Sequence, residues 1–167
     1  MIKTLTKIFA FSTIIKKLVE TKKSKTEGVT QLHPSKIHGR TVYIREKEYF
    51  IRENIVEGTI PIIFLHSWGT DSLGSWFNVL PKIKNISSFI TIDFKNHGRS
   101  DASWERWSVD ENADIVISIL DELNVSECHL VGWSMGSAVA LTISKKIPER
   151  INKMVLVTPF SWIEGER

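Results

Sequence analysis

The sequence predicts an α/β domain, three α/β/α layers around a mostly parallel sheet. Two observations carry that prediction. From residue 37 onward, short apolar runs alternate with stretches of helical periodicity, the rhythm of βαβ units. Three motifs rich in Gly, His, Asp and Ser each fall at the end of an apolar run, where ligands bind in open parallel sheets. The composition fits one domain: 167 residues, 42% hydrophobic and 25% charged, is ordinary for a globular chain with a real core.

The first segment is of another character. Ile2, Leu5, Ile8, Phe9, Phe11, Ile14, Ile15, Leu18 and Val19 fall mostly at helical spacing, and residues 1–25 carry seven Lys against Glu20. This reads as a basic amphipathic helix. Its apolar stretch is far too short to span a bilayer, and no small-residue cleavage site follows it. Three readings stay open: a helix packed on the body, peripheral membrane contact through residues 2–19, or an organelle presequence. Residues 21–36 are polar, include Gly28 and Pro34, and read as a linker. The expected division is therefore residues 1–36 for helix and linker and 37–167 for the α/β body. The net charge of +3 comes from the first 25 residues, because the remainder is net acidic. No basic cluster in a recognisable module points to nucleic acid.

Along the body, Thr41–Ile44 and Glu48–Ile55 predict a strand pair joined by a charged turn. Ile62–Leu65 reads as a buried strand. Ser72–Leu80 predicts a short helix closed by Pro81, and Phe89–Asp93 a further buried strand. Val109–Leu123 has helical periodicity with Ser108 as its N-cap. His129–Trp133 predicts a strand, Met135–Ile147 a helix stopped by Pro148, and Met154–Val157 about the sixth strand. That last strand would present an apolar edge, a surface open to self-association. Cys128 is the only cysteine, which excludes an internal disulfide and favours a reducing, cytoplasmic setting.

The strongest motif is Gly132-Trp133-Ser134-Met135-Gly136. It satisfies G-x-S-x-G between an apolar strand and a helix, the context of a nucleophile elbow, with Ser134 as nucleophile and Gly132 and Gly136 leaving room for the strained turn. The second, His66-Ser67-Trp68-Gly69, follows the Ile62–Leu65 strand. The third is Asp93-Phe94-Lys95-Asn96-His97-Gly98-Arg99-Ser100. Asp93 is expected to tie down its turn by accepting backbone hydrogen bonds. His97 reads as a turn residue near the pocket rim.

In this order and spacing the motifs resemble the α/β-hydrolase superfamily, in its serine esterase, peroxidase-like and C–C-hydrolase branches, over about residues 37–160. The resemblance implies hydrolysis of an ester-like small molecule through an acyl-enzyme on Ser134. It implies an oxyanion hole from the backbone N–H groups of Trp68 and Met135, and loop support from His66 and Gly69. Serine at the elbow argues against the dehalogenase and epoxide hydrolase chemistries, which use aspartate there. The chain departs from the pattern at Ser67, Asn96 and Ser137, where the family usually has glycine. It also has no histidine after Ser134, whereas the family order is Ser, acid, His. The expectation is thus a hydrolase truncated before its acid and base, inactive or incomplete as it stands. Competing with it are a non-catalytic binding protein of this fold and a half-enzyme completed by a second chain. Trp68, Trp76, Trp104, Trp107 and Trp133 predict either an apolar pocket or core packing. No metal-ligand spacing or phosphate loop is present in the sequence, so no cofactor is expected.

Overall fold

A computed structural model describes residues 37–103 and 105–159. The amphipathic segment, the linker and Trp104 lie outside the described residues.

Strands β1 (Gly39–Ile44) and β2 (Lys47–Asn54) form an antiparallel hairpin. Arg45 and Glu46, at φ 50° and 66°, make its two-residue turn in the left-handed conformation that matches strand twist. Then come β3 (Ile62–Leu65), β4 (Phe89–Ile92), β5 (Cys128–Trp133) and β6 (Ile151–Val157), and the sheet order is β1-β2-β4-β3-β5-β6. The β4, β3, β5 and β6 neighbours are parallel, while β1 and β2 run antiparallel to theirs. The sheet is therefore mostly parallel, as the alternating pattern predicts.

The helices are α1 (Ser72–Trp76), α2 (Leu80–Ile83), α3 (Val109–Glu122) and α4 (Met135–Lys146). Here the structure corrects one expectation. The single helix predicted over Ser72–Leu80 ends at Trp76, and Pro81 begins the next helix instead of closing the first. Proline is favourable in a first helical turn, where its missing N–H has no intrahelical partner anyway. The expected cap of α3 is present: Ser108 Oγ accepts from the Glu111 N–H at 3.0 Å. After α4, Pro148 opens a short 3₁₀ turn, Pro148–Arg150.

Strand alternation sorts the core into two faces. Ile63, Leu65, Ile90, Ile92 and Leu130 pack with Val116, Ile119 and Leu120 of α3 and Val139, Ala140 and Ile143 of α4. Phe64 and Phe89 point the other way, onto Trp76 of α1 and Leu80 of α2. This is the three-layer arrangement. It brings the C-terminal ends of β3, β4 and β5 side by side, and with them all three motifs. On the far side β6 pairs with β5 alone among the described strands, leaving Met154, Val155 and Val157 exposed along it.

Candidate active site

Ser134 stands between the last residue of β5 and the first of α4, at φ 52° and ψ −113°. A non-glycine residue there is strained by about 1–3 kcal/mol, held only because its surroundings over-determine it. Those surroundings are identifiable. The Ser134 N–H donates to the Val157 carbonyl at 2.9 Å. Ser137 Oγ–H reaches the Gly132 carbonyl at 2.8 Å and the Val157 carbonyl at 3.2 Å, clamping the elbow to β6. A side chain on Gly132 would run into the Gly136 carbonyl, and one on Gly136 into the Leu65 carbonyl. Both glycines are thus fixed by close backbone approach. Ser137, a departure from the usual pattern, is a built part of the turn.

No described group hydrogen-bonds the Ser134 hydroxyl. Met135 opens α4, so its N–H belongs to the first turn, whose donors lack intrahelical partners. The Trp68 N–H likewise donates to nothing among the described residues. Helix α4 directs its positive end toward this point. A carbonyl attacked there would place its developing negative charge among unpaired donors.

The loop carrying Trp68 is held from both sides. The Ser67 N–H donates to Ser75 Oγ at 3.3 Å, and the Ser67 carbonyl accepts from His66 Nδ1 at 2.8 Å. Gly69 takes a left-handed φ of 74°. His66 is fully buried, and its other nitrogen, Nε2, accepts the Phe94 N–H at 2.9 Å. These partners fix the neutral tautomer with the proton on Nδ1. Burial pushes the imidazole pKa down to about 4, and the neighbouring His97 works in the same direction. With both nitrogens engaged, His66 is a brace between two loops and has no lone pair free for Ser134.

Asp93 is buried and accepts the Ser72 N–H at 2.9 Å and the Arg99 N–H at 3.1 Å. It ties its turn to α1, as expected. Asn96 adopts φ 60°, a conformation asparagine tolerates better than most residues. The His97 ring donates from Nδ1 to the Lys95 carbonyl at 2.8 Å and lies 5.1 Å from His66 and 5.6 Å from Trp107.

Beside Ser134 opens a cavity of about 710 Å³, walled by Trp68, Trp107, Val109, Met135 and Ala138. Sequence reading places Ser134, Trp68 and Met135 here but gives Val109, Asp110 and Ala138 no role at the site. Ala138 carries a usable signal: four residues beyond Ser134, it shares the same helix face. Val109 and Asp110 enter through the first turn of α3, which no local pattern connects to the elbow. Of the tryptophans, Trp68 and Trp107 line the cavity, while Trp76 is core. Among the described residues no group of His, Cys, Asp or Glu is arranged to hold a metal ion, and no helix is long and apolar enough to cross a membrane.

Comparison with known proteins fits this geometry. The chain is 33% identical over 101 residues to the dihydrolipoyllysine-residue acetyltransferase component of an acetoin cleaving system from Pseudomonas putida, covering 60% of this chain and 27% of that protein. It is 33% identical over 108 residues to 3-oxoadipate enol-lactonase 1 of Acinetobacter baylyi, covering 64% of this chain and 40% of the enzyme. The solved structure of Est816, an N-acyl homoserine lactone degrading enzyme, superposes with a TM-score of 0.67 at 27% identity, over 72% of this chain and 45% of that one. The chain thus spans less than half the length of these relatives. Residues 60–167 match the family model described as the alpha/beta hydrolase fold, and the chain belongs to that family.

Proposed function

We propose that this chain carries the nucleophile and oxyanion half of a serine hydrolase acting on esters or lactones. Hydrolase relatives support the class, and one observation carries the finer reading. Ser134 is held in a strained backbone conformation, with a hydroxyl that has no hydrogen-bond partner among the described residues, at a helix N-terminus that opens on a cavity. Strain over-determined by Gly132, Gly136 and Ser137 is the signature of a functional position.

In the proposed reaction Ser134 Oγ attacks the substrate carbonyl carbon and its proton passes to an imidazole. The N–H groups of Trp68 and Met135 stabilise the oxyanion. Collapse re-forms the carbonyl and breaks the single bond from its carbon to the leaving alkoxide oxygen, the imidazole gives that oxygen its proton, and water then hydrolyses the acyl-serine by the same route. The imidazole is the part that the described residues do not supply. Both nitrogens of His66 are occupied, His97 lines the neighbouring groove and not the cavity that holds Ser134, and no histidine follows Ser134 in the sequence. The base and its acid are proposed to come from a longer form of the protein or from a second chain. The competing reading, binding without turnover, is favoured by this same gap.

Chemical rescue separates the two. The purified chain and its Ser134→Ala variant would be given p-nitrophenyl acetate with and without added imidazole. The expected result is slow turnover by the chain alone and a marked acceleration by imidazole above its own background. The variant should show neither, and mass spectrometry should find the acetyl group on Ser134. Equal rates for the two proteins at every imidazole concentration would overturn the nucleophile and leave the binding reading.

A further inference from the structure

The site has two compartments of unlike chemistry. The cavity beside Ser134 is walled mainly by tryptophan, valine, methionine and alanine side chains, with Ser108 and Asp110 at its wall. Across Trp68 and Trp107, which line both spaces, lies a groove of about 570 Å³ bordered by Thr70, Asp71, Asn96 and His97. Ser134 is on the apolar side of that partition. The charges matter as much as the shapes. Among the described residues the one charged group at the cavity wall is Asp110, engaged by Lys146 at 2.9 Å, and Asp71 is the carboxylate of the groove. Among the described residues neither compartment is lined by lysine or arginine.

Resting on the reading of Ser134 as the reacting atom, we infer that the site selects an uncharged ester or lactone with an apolar chain of medium length, and rejects one ending in a carboxylate. The chain lies in the cavity against Trp107, Val109 and Ala138. The carbonyl meets Ser134, and the polar end of the molecule crosses Trp68 into the groove. A cavity of this size lies within the range that encloses a small ligand. Each buried methylene contributes roughly a fourfold gain in affinity. A terminal carboxylate brought into the same cavity meets largely apolar walls and Asp110, with no cation among the described lining residues to offset its desolvation.

The test is equilibrium binding to the full chain carrying Ser134→Ala, so that it does not depend on the chemistry of the serine. Methyl octanoate and monomethyl suberate form a pair of equal length that differ by a terminal carboxylate. Binding is followed by tryptophan fluorescence, with Trp68 and Trp107 as built-in reporters, and checked by calorimetry. Methyl octanoate is expected to bind at least tenfold more tightly than monomethyl suberate at pH 7, and roughly fifteenfold more tightly than methyl hexanoate, which is two methylenes shorter. Ala138→Phe should fill the cavity and weaken methyl octanoate at least tenfold. Val109→Trp, from the other wall, gives the same readout should the first variant not fold. The inference is overturned if monomethyl suberate binds as tightly as methyl octanoate, if chain length has no effect, if cavity filling has none, or if neither ester binds. Such a failure with imidazole rescue intact leaves the nucleophile standing. Rescue that fails while this binding pattern holds removes the nucleophile alone.

Discussion

His66 and Ser134 occupy the ends of adjacent parallel strands, and they are physical opposites. His66 is fully buried, relaxed in its hydrogen bonding, and committed at both nitrogens to other loops. Ser134 is half-buried, strained in its backbone, and unpartnered at its hydroxyl among the described residues. Serine and histidine are both chemically capable side chains, and here each follows a strand end, so a reading by residue type would join them. Their surroundings separate them. A group whose every polar atom is satisfied holds structure, and a group held under strain with an idle polar atom is available for reaction. Substitutions at the two positions should therefore act on stability with opposite signs.

The largest effect belongs to His66. Truncation to alanine leaves the Phe94 N–H and the Ser67 carbonyl without partners and opens a void beneath both loops. The expected loss is about 4 kcal/mol, measured as a lower midpoint in urea unfolding. An unchanged midpoint would mean that the ring braces nothing.

Next comes acidity. The folded imidazole has its pKa near 4, against 6.5 for an ordinary histidine, because burial penalises its charged form. Below pH 6.5 the unfolded chain takes up a proton that the folded chain refuses. The contribution of His66 is therefore intact above pH 6.5, drains away as pH falls toward 4, and is flat below. The span is worth on the order of 3 kcal/mol. Urea unfolding of the protein and of His66→Gln between pH 7 and pH 4 should show a steeper loss in the former, since glutamine does not titrate. Parallel curves would mean that the folded chain accepts the proton as readily as the unfolded one.

These contrasts also mark how far the sequence alone could go. The elbow, the Asp93 turn and the strands that present them are legible because each is local: a run of apolar residues, a glycine at fixed offset, an asparagine that tolerates φ 60°. Chain order argues only against His66 as a base, and its partners at Ser67 and Phe94 come from the tertiary structure. Pro81 misleads because proline stops one helix and starts another with equal ease, and only packing of Leu80 against Phe89 decides between them. Ser137 is misread as a mere departure because its two acceptors, Gly132 and Val157, lie on neighbouring strands, and the second is 20 residues away. The cavity wall is the least legible part. Val109 and Ala138 are unremarkable aliphatic residues on two helices, and only tertiary packing faces them toward one serine.

The smallest predicted effect is the most diagnostic, because its sign is unusual. Ser134→Gly removes a side chain from a backbone conformation, φ 52° and ψ −113°, that glycine adopts without penalty. It deletes no hydrogen bond of the hydroxyl, since none is made among the described residues. The backbone bond from the residue 134 N–H to the Val157 carbonyl remains. Relief of strain outweighs the added freedom of the unfolded chain, so the variant should be more stable by about 1 kcal/mol, while imidazole rescue of ester turnover is lost. Thermal and urea unfolding of this variant beside Ser134→Ala resolve the source of the gain. A gain with glycine that exceeds the gain with alanine locates the strain in the backbone, where a nucleophile elbow keeps it. Loss of stability with glycine would mean that the serine side chain supports the turn, and the opposition between Ser134 and His66 would fail at its weaker end.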